Sequence, residues 1–194
     1  MDDNLIIVTD HRAPRADAVK NRELLMQTAQ RLFAENGVDA VKMSDISDAA
    51  GVGKGTLYRH FPNGKAELCR VLIDEDQRDL QERTFARLRQ NGDPLPDLEW
   101  FVREVIAFVI RNQAFMFAES SMEMLLGHPA HMWWRQTIRG LLARLRLEID
   151  LDYTTDMMFV MLDPRTIYFQ MNARGYDSER IASGLIDLLN RIAR

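Results

Sequence analysis

The 194-residue chain has a single cysteine, Cys69, and no long apolar run. One cysteine cannot form a disulfide within the chain, and this scarcity is typical of proteins in a reducing compartment. Cys69 lies among apolar residues and is expected to be buried. The apolar stretch at residues 5–8 follows acidic residues and is far shorter than the roughly 18 residues of a membrane span. These absences predict a cytoplasmic protein without a signal peptide or a membrane helix.

The sequence also lacks the alternation of apolar and polar residues that β-strands show. Apolar residues recur instead every three to four positions, which predicts an all-α fold. A phosphate-binding loop, a dinucleotide-binding fingerprint and a nucleophile with its base are all missing. An enzyme is therefore the weaker class, and no cofactor is expected.

The charge of the chain is slightly negative and unevenly distributed. The formal net charge is −4, which does not by itself suggest a partner such as DNA. Residues 12–70, however, contain ten Lys and Arg against seven Asp and Glu, so this part carries +3 and the remainder −7. A mildly basic head on an acidic body can bind DNA through the head. Because the excess of positive charge is small, the affinity for DNA must come from specific side-chain contacts and from the presence of two heads.

The stretch from Met43 to Lys65, MSDISDAAGVGKGTLYRHFPNGK, has the pattern of two short helices joined by a tight turn. Gly51 stands where the first helix, expected from about Ser44 to Ala50, must stop and where the backbone needs a positive φ. The inward or crossing positions of this first helix are small or apolar: Ile46, Ser47, Ala49 and Ala50.

The second helix carries Leu57 and Phe61 four residues apart, so that this face packs inward. Gly53 and Gly55 leave its first turn with little side-chain bulk, and its amides can approach a phosphate. The residues left facing outward are those a DNA duplex requires, namely Lys54, Thr56, Tyr58, Arg59 and His60. The alternative interpretation is a packing corner between two core helices, since helical hairpins with a glycine turn are common.

The segment from Asp45 to Leu68, DISDAAGVGKGTLYRHFPNGKAEL, closely resembles the DNA-binding segment of the tetracycline-repressor (TetR) family of bacterial regulators. The combination of AAGV, TLYRHF and a lysine that opens the next helix carries the resemblance, which covers about a quarter of the chain. Lys42 stands where family members often have a hydroxyl residue, so the N-terminal cap of the first helix is left open.

The resemblance implies a role for individual residues of this segment. Lys54, Gly55 and Tyr58 fall where family members approach bases, and Tyr58, His60 and Lys65 fall where phosphates are held. Ser44 falls in a further contact region of the family.

The resemblance also implies a function, which is that of a sequence-specific transcriptional regulator. Such a protein would be a repressor that a small-molecule ligand releases from a palindromic operator in double-stranded DNA. The alternative is an all-α interaction protein, or a ligand- or metal-binding enzyme, in which the helix-turn-helix is only structural.

The pattern of helices and breaks divides the chain into three segments. Residues 1–18 form a flexible N-terminal arm, residues 19–64 a helix-turn-helix DNA-binding domain, and residues 65–194 a helical domain for effector binding and dimerisation. The first helix of the head is expected from Arg22 to Asn36. A long helix from Lys65 to Gln90 would connect the head to the body.

Further helices are expected in the body after a loop at residues 91–96. Their expected ranges are 97–112, 115–126, 131–149, 154–174 and from Ser178 to the C-terminus. Pro164 should kink the fourth of these, and Ser178 is a candidate cap for the last.

Aromatic and methionine side chains are concentrated in the middle helices. At helical spacing such residues are usually plain core, although methionine adapts well to irregular ligands. In the family that the chain resembles, these helices enclose a small-molecule pocket. The resemblance therefore implies a cavity for a small apolar or amphipathic effector, lined by Trp100, Phe108, Phe115, Met122, Trp133 and Met161.

The last two helices each have an apolar stripe that one chain cannot wholly bury. Two such helices from each of two chains can close a four-helix bundle. This pattern predicts a homodimer whose interface includes Met157, Met161, Tyr168, Met171, Ile181, Leu185, Leu188 and Ile192.

One group of side chains could be taken as metal ligands, namely Glu119, Glu123, His128 and His131. Pro129 breaks the helical pattern within this group and makes convergence doubtful. Such residues near a helix end are usually a solvated rim, so no metal is expected.

Overall fold

The computed structural model describes the backbone of residues 13–118 and 129–192, and the side chains of residues 17–116 and 131–191. The described residues form helices and turns without a strand, which confirms the all-α fold class. No helix in these ranges is long and apolar enough to cross a membrane. The helices are α1 (Ala13–Asn36), α2 (Met43–Ala50), α3 (Lys54–His60), α4 (Lys65–Leu88), α5 (Pro94–Ala118), α6 (Pro129–Leu145), α7 (Leu151–Met161), α8 (Pro164–Asn172) and α9 (Ser178–Ile192).

The chain divides into two compact units, one ending at Leu72 and the other beginning at Ile73. We call them the head and the body. The division falls within α4, whose Leu68 and Leu72 are buried and belong to the head. The boundary expected from the sequence at residue 65, the start of α4, stays a prediction.

Three helices and the first turns of α4 form the described part of the head, with α1 packed against both α2 and α3. Leu25, Ala29 and Phe33 are buried along one face of α1, as their spacing predicts. Gly37 has a φ of +80°, and its N–H donates to the carbonyl of Phe33 over 2.9 Å. This left-handed residue ends α1 where the sequence indicated.

The N-terminal end of α1 differs from the expectation. The helix begins at Ala13, well before Arg22. Pro14 is compatible with this start because it lies in the first turn, where the missing N–H has no partner within the helix anyway. Residues 13–18 were assigned to a flexible arm and instead belong to a helix, while residues 1–12 of that arm lie outside the described residues.

The cap of α2, which the sequence left open, comes from within the helix. The backbone N–H of Lys42 donates to the carboxylate of Asp45 over 2.8 Å, half of the reciprocal arrangement found at many helix starts. At the other end, Gly51 has a φ of +64°, as expected. Ile46 and Ser47 are buried, but Ala49 is exposed, so its expected inward position was wrong.

In the body, α5 is the central helix and packs against α6, α8 and α9. Its fully buried side chains include Phe101, Val105, Phe108 and Val109. Helix α6 also packs against α7, and α8 against both α7 and α9. These helices enclose one continuous apolar core.

Two boundaries around α5 correct the sequence-based ranges. Helix α5 continues without a break to Ala118, so no separate helix begins at Phe115. Asn112 lies within this continuous helix, and its side-chain amide donates to the carbonyl of Phe108 one turn earlier, over 2.9 Å. The remainder of the helix predicted at 115–126, from residue 119 onwards, lies outside the described residues.

Other helix ends and caps also differ from the sequence-based expectations. Helix α4 ends at Leu88 instead of Gln90, α5 begins at Pro94 instead of residue 97, and α7 begins at Leu151 instead of residue 154. Helix α6 ends at Leu145, and Arg146 follows with a φ of +53°. Pro164 does more than kink a helix, since it opens the separate helix α8 behind a cap from Asp163. The cap of α9 is Asp177 instead of Ser178, with its carboxylate accepting the N–H of Arg180 over 2.7 Å.

Candidate nucleic-acid interface and regulatory body

Helix α3 has a buried face and an exposed face. Leu57 and Phe61 are both 0% exposed, as the sequence predicts. Tyr58 is 49% exposed, and Lys54 and Arg59 are also exposed. Five of the nine residues assigned to DNA are therefore exposed at this helix, namely Gly53, Lys54, Gly55, Tyr58 and Arg59.

The surface beside this face is free of bulk. A methyl group added to Gly53 or Gly55 would meet no atom within 4 Å, so a large partner can approach the backbone there. Thr56 is half-buried. Ser44, in the first turn of α2, is also half-buried, and its hydroxyl lies 3.3 Å from a carboxylate oxygen of Asp45.

Lys65 points to a different partner from the one expected. Its ammonium group donates to the carbonyl oxygens of Val38 and Val41 over 2.8 and 3.0 Å, and it lies 3.4 Å from that of Asp39. An ammonium group has three N–H donors, so all three have an acceptor within the head. The assignment of Lys65 to phosphate stays a prediction, and the structure gives this side chain an internal role.

His60 is half-buried at the end of α3. Its Nε2 atom is buried and has no hydrogen-bond partner among the described residues. Burial of the ring, together with the charges of Arg59 and Arg22, lowers the pKa of His60 below its ordinary value. The fold therefore disfavours the charged imidazolium form of His60, and the assignment of this residue to a phosphate stays a prediction.

Aromatic rings pack closely in the body. Trp133 makes edge-to-face contacts with Phe85 and Phe101, at centroid distances of 6.0 and 5.6 Å. Phe108 contacts Trp134 in the same way at 5.5 Å. Of the predicted effector residues, Trp133 and Phe108 thus lie within this aromatic packing of α4, α5 and α6.

The other predicted effector residues lie in different surroundings. Trp100 packs under the guanidinium of Arg87, 5.1 Å from its ring centroid, and Phe115 is half-buried. Met161 lines a groove between α7 and α9, while Met122 lies outside the described residues. Their membership of one pocket stays a prediction.

Polar side chains are buried beside the aromatic rings. Gln77 of α4 is 6% exposed, and its Oε1 atom accepts the indole N–H of Trp134 over 3.2 Å. Because an indole can only donate, this bond directs the Nε2 atom of Gln77 away from it. That nitrogen and the Nε2 atom of Gln113 are buried without a partner in the described part of the chain.

The sequence analysis missed these amides, although one signal was available. Gln77 falls on the same face of α4 as Ile73 and Leu80, and it interrupts an apolar stripe near the body core. A polar residue in such a position needs a partner when buried. Its pairing with Trp134, 57 positions further along the chain, could not be inferred from periodicity.

The predicted dimerisation residues divide into an exposed and a buried set. Met157, Tyr168 and Leu188 are 43%, 46% and 56% exposed. Ile181 and Leu185 are buried in the core of their own chain, at 6% and 8%. Met161 and Met171 are half-buried, and the side chain of Ile192 lies outside the described residues.

More apolar residues are exposed on these helices than the sequence analysis named. Tyr153, Val160 and Phe169 are 67%, 48% and 57% exposed. An apolar groove of about 290 Å³ also lies between α7 and α9, lined by Tyr153, Met157, Met161 and Leu188 among others. Exposed apolar surface of this kind marks interaction sites.

The candidate metal ligands give no site that can be described. Glu119, Glu123 and His128 lie outside the described residues. His131 is buried, with its ring 4.6 Å from that of Trp134. In the described ranges no three side chains of the types that bind metals come together.

In the described residues, an exposed helix follows a glycine turn in the head, and a helical body follows the head. This arrangement is typical of helix-turn-helix regulators of transcription. Residues 25–72 match the model of the bacterial regulatory proteins of the tetR family. The chain belongs to this family and is a DNA-binding transcriptional regulator.

Similar sequences come from Staphylococcus aureus. An HTH-type transcriptional regulator of strain MRSA252 is 44% identical over 177 residues, which cover 90% of this chain and 95% of that relative. A second HTH-type transcriptional regulator, from strain bovine RF122 / ET3-1, is 44% identical over 62 residues. That alignment covers 32% of this chain and only 33% of the second relative.

Similar structures support the fold. A transcriptional regulator of the TetR/AcrR family from Thermobifida fusca YX-ER1 has a TM-score of 0.68 at 20% identity, over 88% of this chain and 96% of that chain. The regulator FadR from Bacillus subtilis, in complex with stearoyl-CoA, has a TM-score of 0.65 at 19% identity, over 86% and 96%. Identities this low establish the shared fold alone.

Replacement of Lys54 should change how the protein reads DNA. Lys54 is exposed at the first residue of α3, so Lys54→Ala is expected to relax the sequence preference at one base position, at a cost of about 1–3 kcal/mol for the preferred base. Binding to a library of single-base operator variants measures this. Equal binding of the preferred operator by wild type and a Lys54→Ala/Tyr58→Ala double variant at moderate salt would refute the assignment.

The stability of the head should depend on pH through His60. Its pKa is lowered in the folded state, so below the ordinary value of about 6.5 the unfolded chain binds more protons and stability falls as the pH falls. The melting temperature of wild type should therefore fall further between pH 7.5 and pH 5.5 than that of His60→Gln. If DNA binding tightened on acidification in wild type but not in His60→Gln, His60 would instead be holding a phosphate.

Proposed function

We propose that this regulator is a cytoplasmic homodimer that represses transcription from a palindromic operator and is released from it by a small apolar or amphipathic effector. The observation that carries the proposal is the exposed face of α3. Lys54, Tyr58 and Arg59 are exposed there, while Leu57 and Phe61 hold the helix from beneath. Side chains of these types contact base edges and phosphates.

A dimer follows from the geometry of DNA. Helix α3 has only seven residues, and one such helix reads a short half-site. Two heads on one face of the duplex must lie about 34–36 Å apart to enter successive major grooves. A two-fold dimer presents them in this way and makes the operator palindromic.

The exposed apolar residues of the body support the same oligomeric state. Met157 and Val160 on α7, Phe169 on α8 and Leu188 on α9 are each more than 40% exposed. Such residues would stay in contact with water in a monomer, at a cost of about 25 cal/mol per Å². Burial against the same surface of a second chain removes this cost.

The effector part of the proposal rests on the body interior. The aromatic rings around Trp133 provide apolar contact surface, and the buried amides of Gln77 and Gln113 offer N–H donors without partners in the described ranges. A ligand with an apolar part and an oxygen acceptor would satisfy both features. The similar structure of FadR, solved with stearoyl-CoA, is compatible with an amphipathic ligand.

A charge on the exposed apolar surface should separate the dimer. Leu188→Glu places a carboxylate where the side chain is 56% exposed, so the chain should still fold but sediment as a monomer, because an interface cannot bury an unpaired charge. Leu24→Glu is the matched control, since Leu24 of α1 is 43% exposed in the head, and this variant should remain dimeric. A wild-type mass of one chain at micromolar concentration would contradict the proposal.

Effector and operator should weaken each other's binding equally. For a metabolite found by a thermal-shift screen, a coupling of about 1–3 kcal/mol would change each affinity some 5–150-fold. Gln113→Met removes a buried N–H donor without adding a charge, and it should weaken effector binding while leaving effector-free operator binding unchanged. An effector affinity that is the same with and without operator would show that the body does not sense ligands in this way.

A further inference from the structure

The first turn of α4 holds the connection between α1 and α2. The Lys65 ammonium lies 2.8 Å from the Val38 carbonyl, 3.0 Å from that of Val41 and 3.4 Å from that of Asp39. These carbonyls follow the end of α1, where backbone acceptors have no partner within a helix. Lys65 therefore supplies hydrogen-bond donors to the connection between α1 and α2, whose carbonyls would otherwise lack them.

The same turn of α4 also holds the connection between α3 and α4. The Glu67 carboxylate accepts the backbone N–H of Asn63 over 2.8 Å. Leu68, one position further, is 0% exposed and anchors the turn in the head. Both connections around the helix-turn-helix motif are thus bonded to side chains two positions apart on α4.

The Lys65 contact continues directly into α2. The carbonyl of Val41 accepts from Lys65, and the next residue, Lys42, donates its N–H to the Asp45 cap of α2 over 2.8 Å. The Val41 side chain is 3% exposed, so the backbone at Val41 is held by its buried side chain and by the bond from Lys65. The direction of α2 depends on the position of this backbone, and α3 follows α2 through the turn at Gly51.

We infer that Lys65 is a positioning residue that couples α4 to the helix-turn-helix motif, instead of a phosphate contact. With its donors engaged within the head, the ammonium has none left for DNA. The Lys65 ammonium holds the carbonyls of Val38 and Val41 against the first turn of α4, so loss of the lysine would let α2 and α3 take other orientations.

Lys65→Met tests this role, with Lys54→Met as the matched control that removes the same charge from an exposed position. Lys65→Met should lower the melting temperature by about 5 °C. At a temperature where both variants are folded, it should reduce the ratio of operator to non-specific affinity at least about tenfold, a small part of the usual 10³–10⁷ range. The loss of sequence preference should extend over all base positions of the half-site, and the dependence of operator affinity on salt concentration should not change.

The control variant should behave differently in each measurement. Lys54→Met should keep the wild-type melting temperature and lose preference at one base position only. A residue that merely stabilises the fold would leave the affinity ratio of folded Lys65→Met unchanged, which would overturn the positioning role. A salt slope shallower by about one for each bound chain, with a wild-type melting temperature, would establish a phosphate contact instead.

A second measurement uses the wild-type protein and does not depend on any variant folding. Reductive methylation of the full chain, followed by peptide mass analysis, compares Lys65 with Lys54 with and without operator DNA. The internal contact predicts that Lys65 reacts at least about tenfold more slowly than Lys54 even without DNA, since its ammonium is engaged. Reaction of Lys65 as fast as Lys54 in the free protein, with protection only on DNA, would overturn the inference.

Discussion

The burial of Leu57 and Phe61 is the constraint on which the DNA-facing surface depends. A helix of seven residues has little stability by itself in water. Both side chains are fully buried, and burial of each contributes about 1.5–3 kcal/mol. Their packing holds α3 with Lys54 and Tyr58 outward. Apolar contacts thus determine where the polar side chains stand, and the polar side chains determine what can bind.

The basic residues of the head lie in different surroundings, although the family resemblance assigns all of them to DNA. It predicts that Lys54 approaches a base and that His60 and Lys65 hold phosphates. In the structure Lys54 is exposed, His60 is half-buried with a lowered pKa, and the ammonium of Lys65 is bonded to carbonyls. A long flexible lysine can reach either a phosphate or a nearby carbonyl, and only the positions of the surrounding atoms decide between them.

The sequence was informative where structure follows from periodicity and failed where it follows from local bonds or distant pairing. The fold class and the buried face of α3 could be predicted because apolar spacing determines them. The caps at Asp45 and Asp177 could not, since capping depends on backbone angles and on hydrogen bonds one to three residues away. Nor could the contact of Gln77 with Trp134, because tertiary packing alone brings α4 and α6 together.

The buried amides suggest how an effector could be distinguished from any apolar molecule. A ligand shifts an equilibrium only through its different affinity for two states, and apolar rings around Trp133 contact many ligands alike. A buried N–H that has no partner among the described residues, such as that of Gln77, costs about 1–3 kcal/mol if it stays unpaired, which matches the usual size of allosteric coupling. A ligand oxygen recovers this cost only in a conformation where the amide reaches it. The rings would then supply affinity, whereas the amides of Gln77 and Gln113 would decide which state the ligand selects.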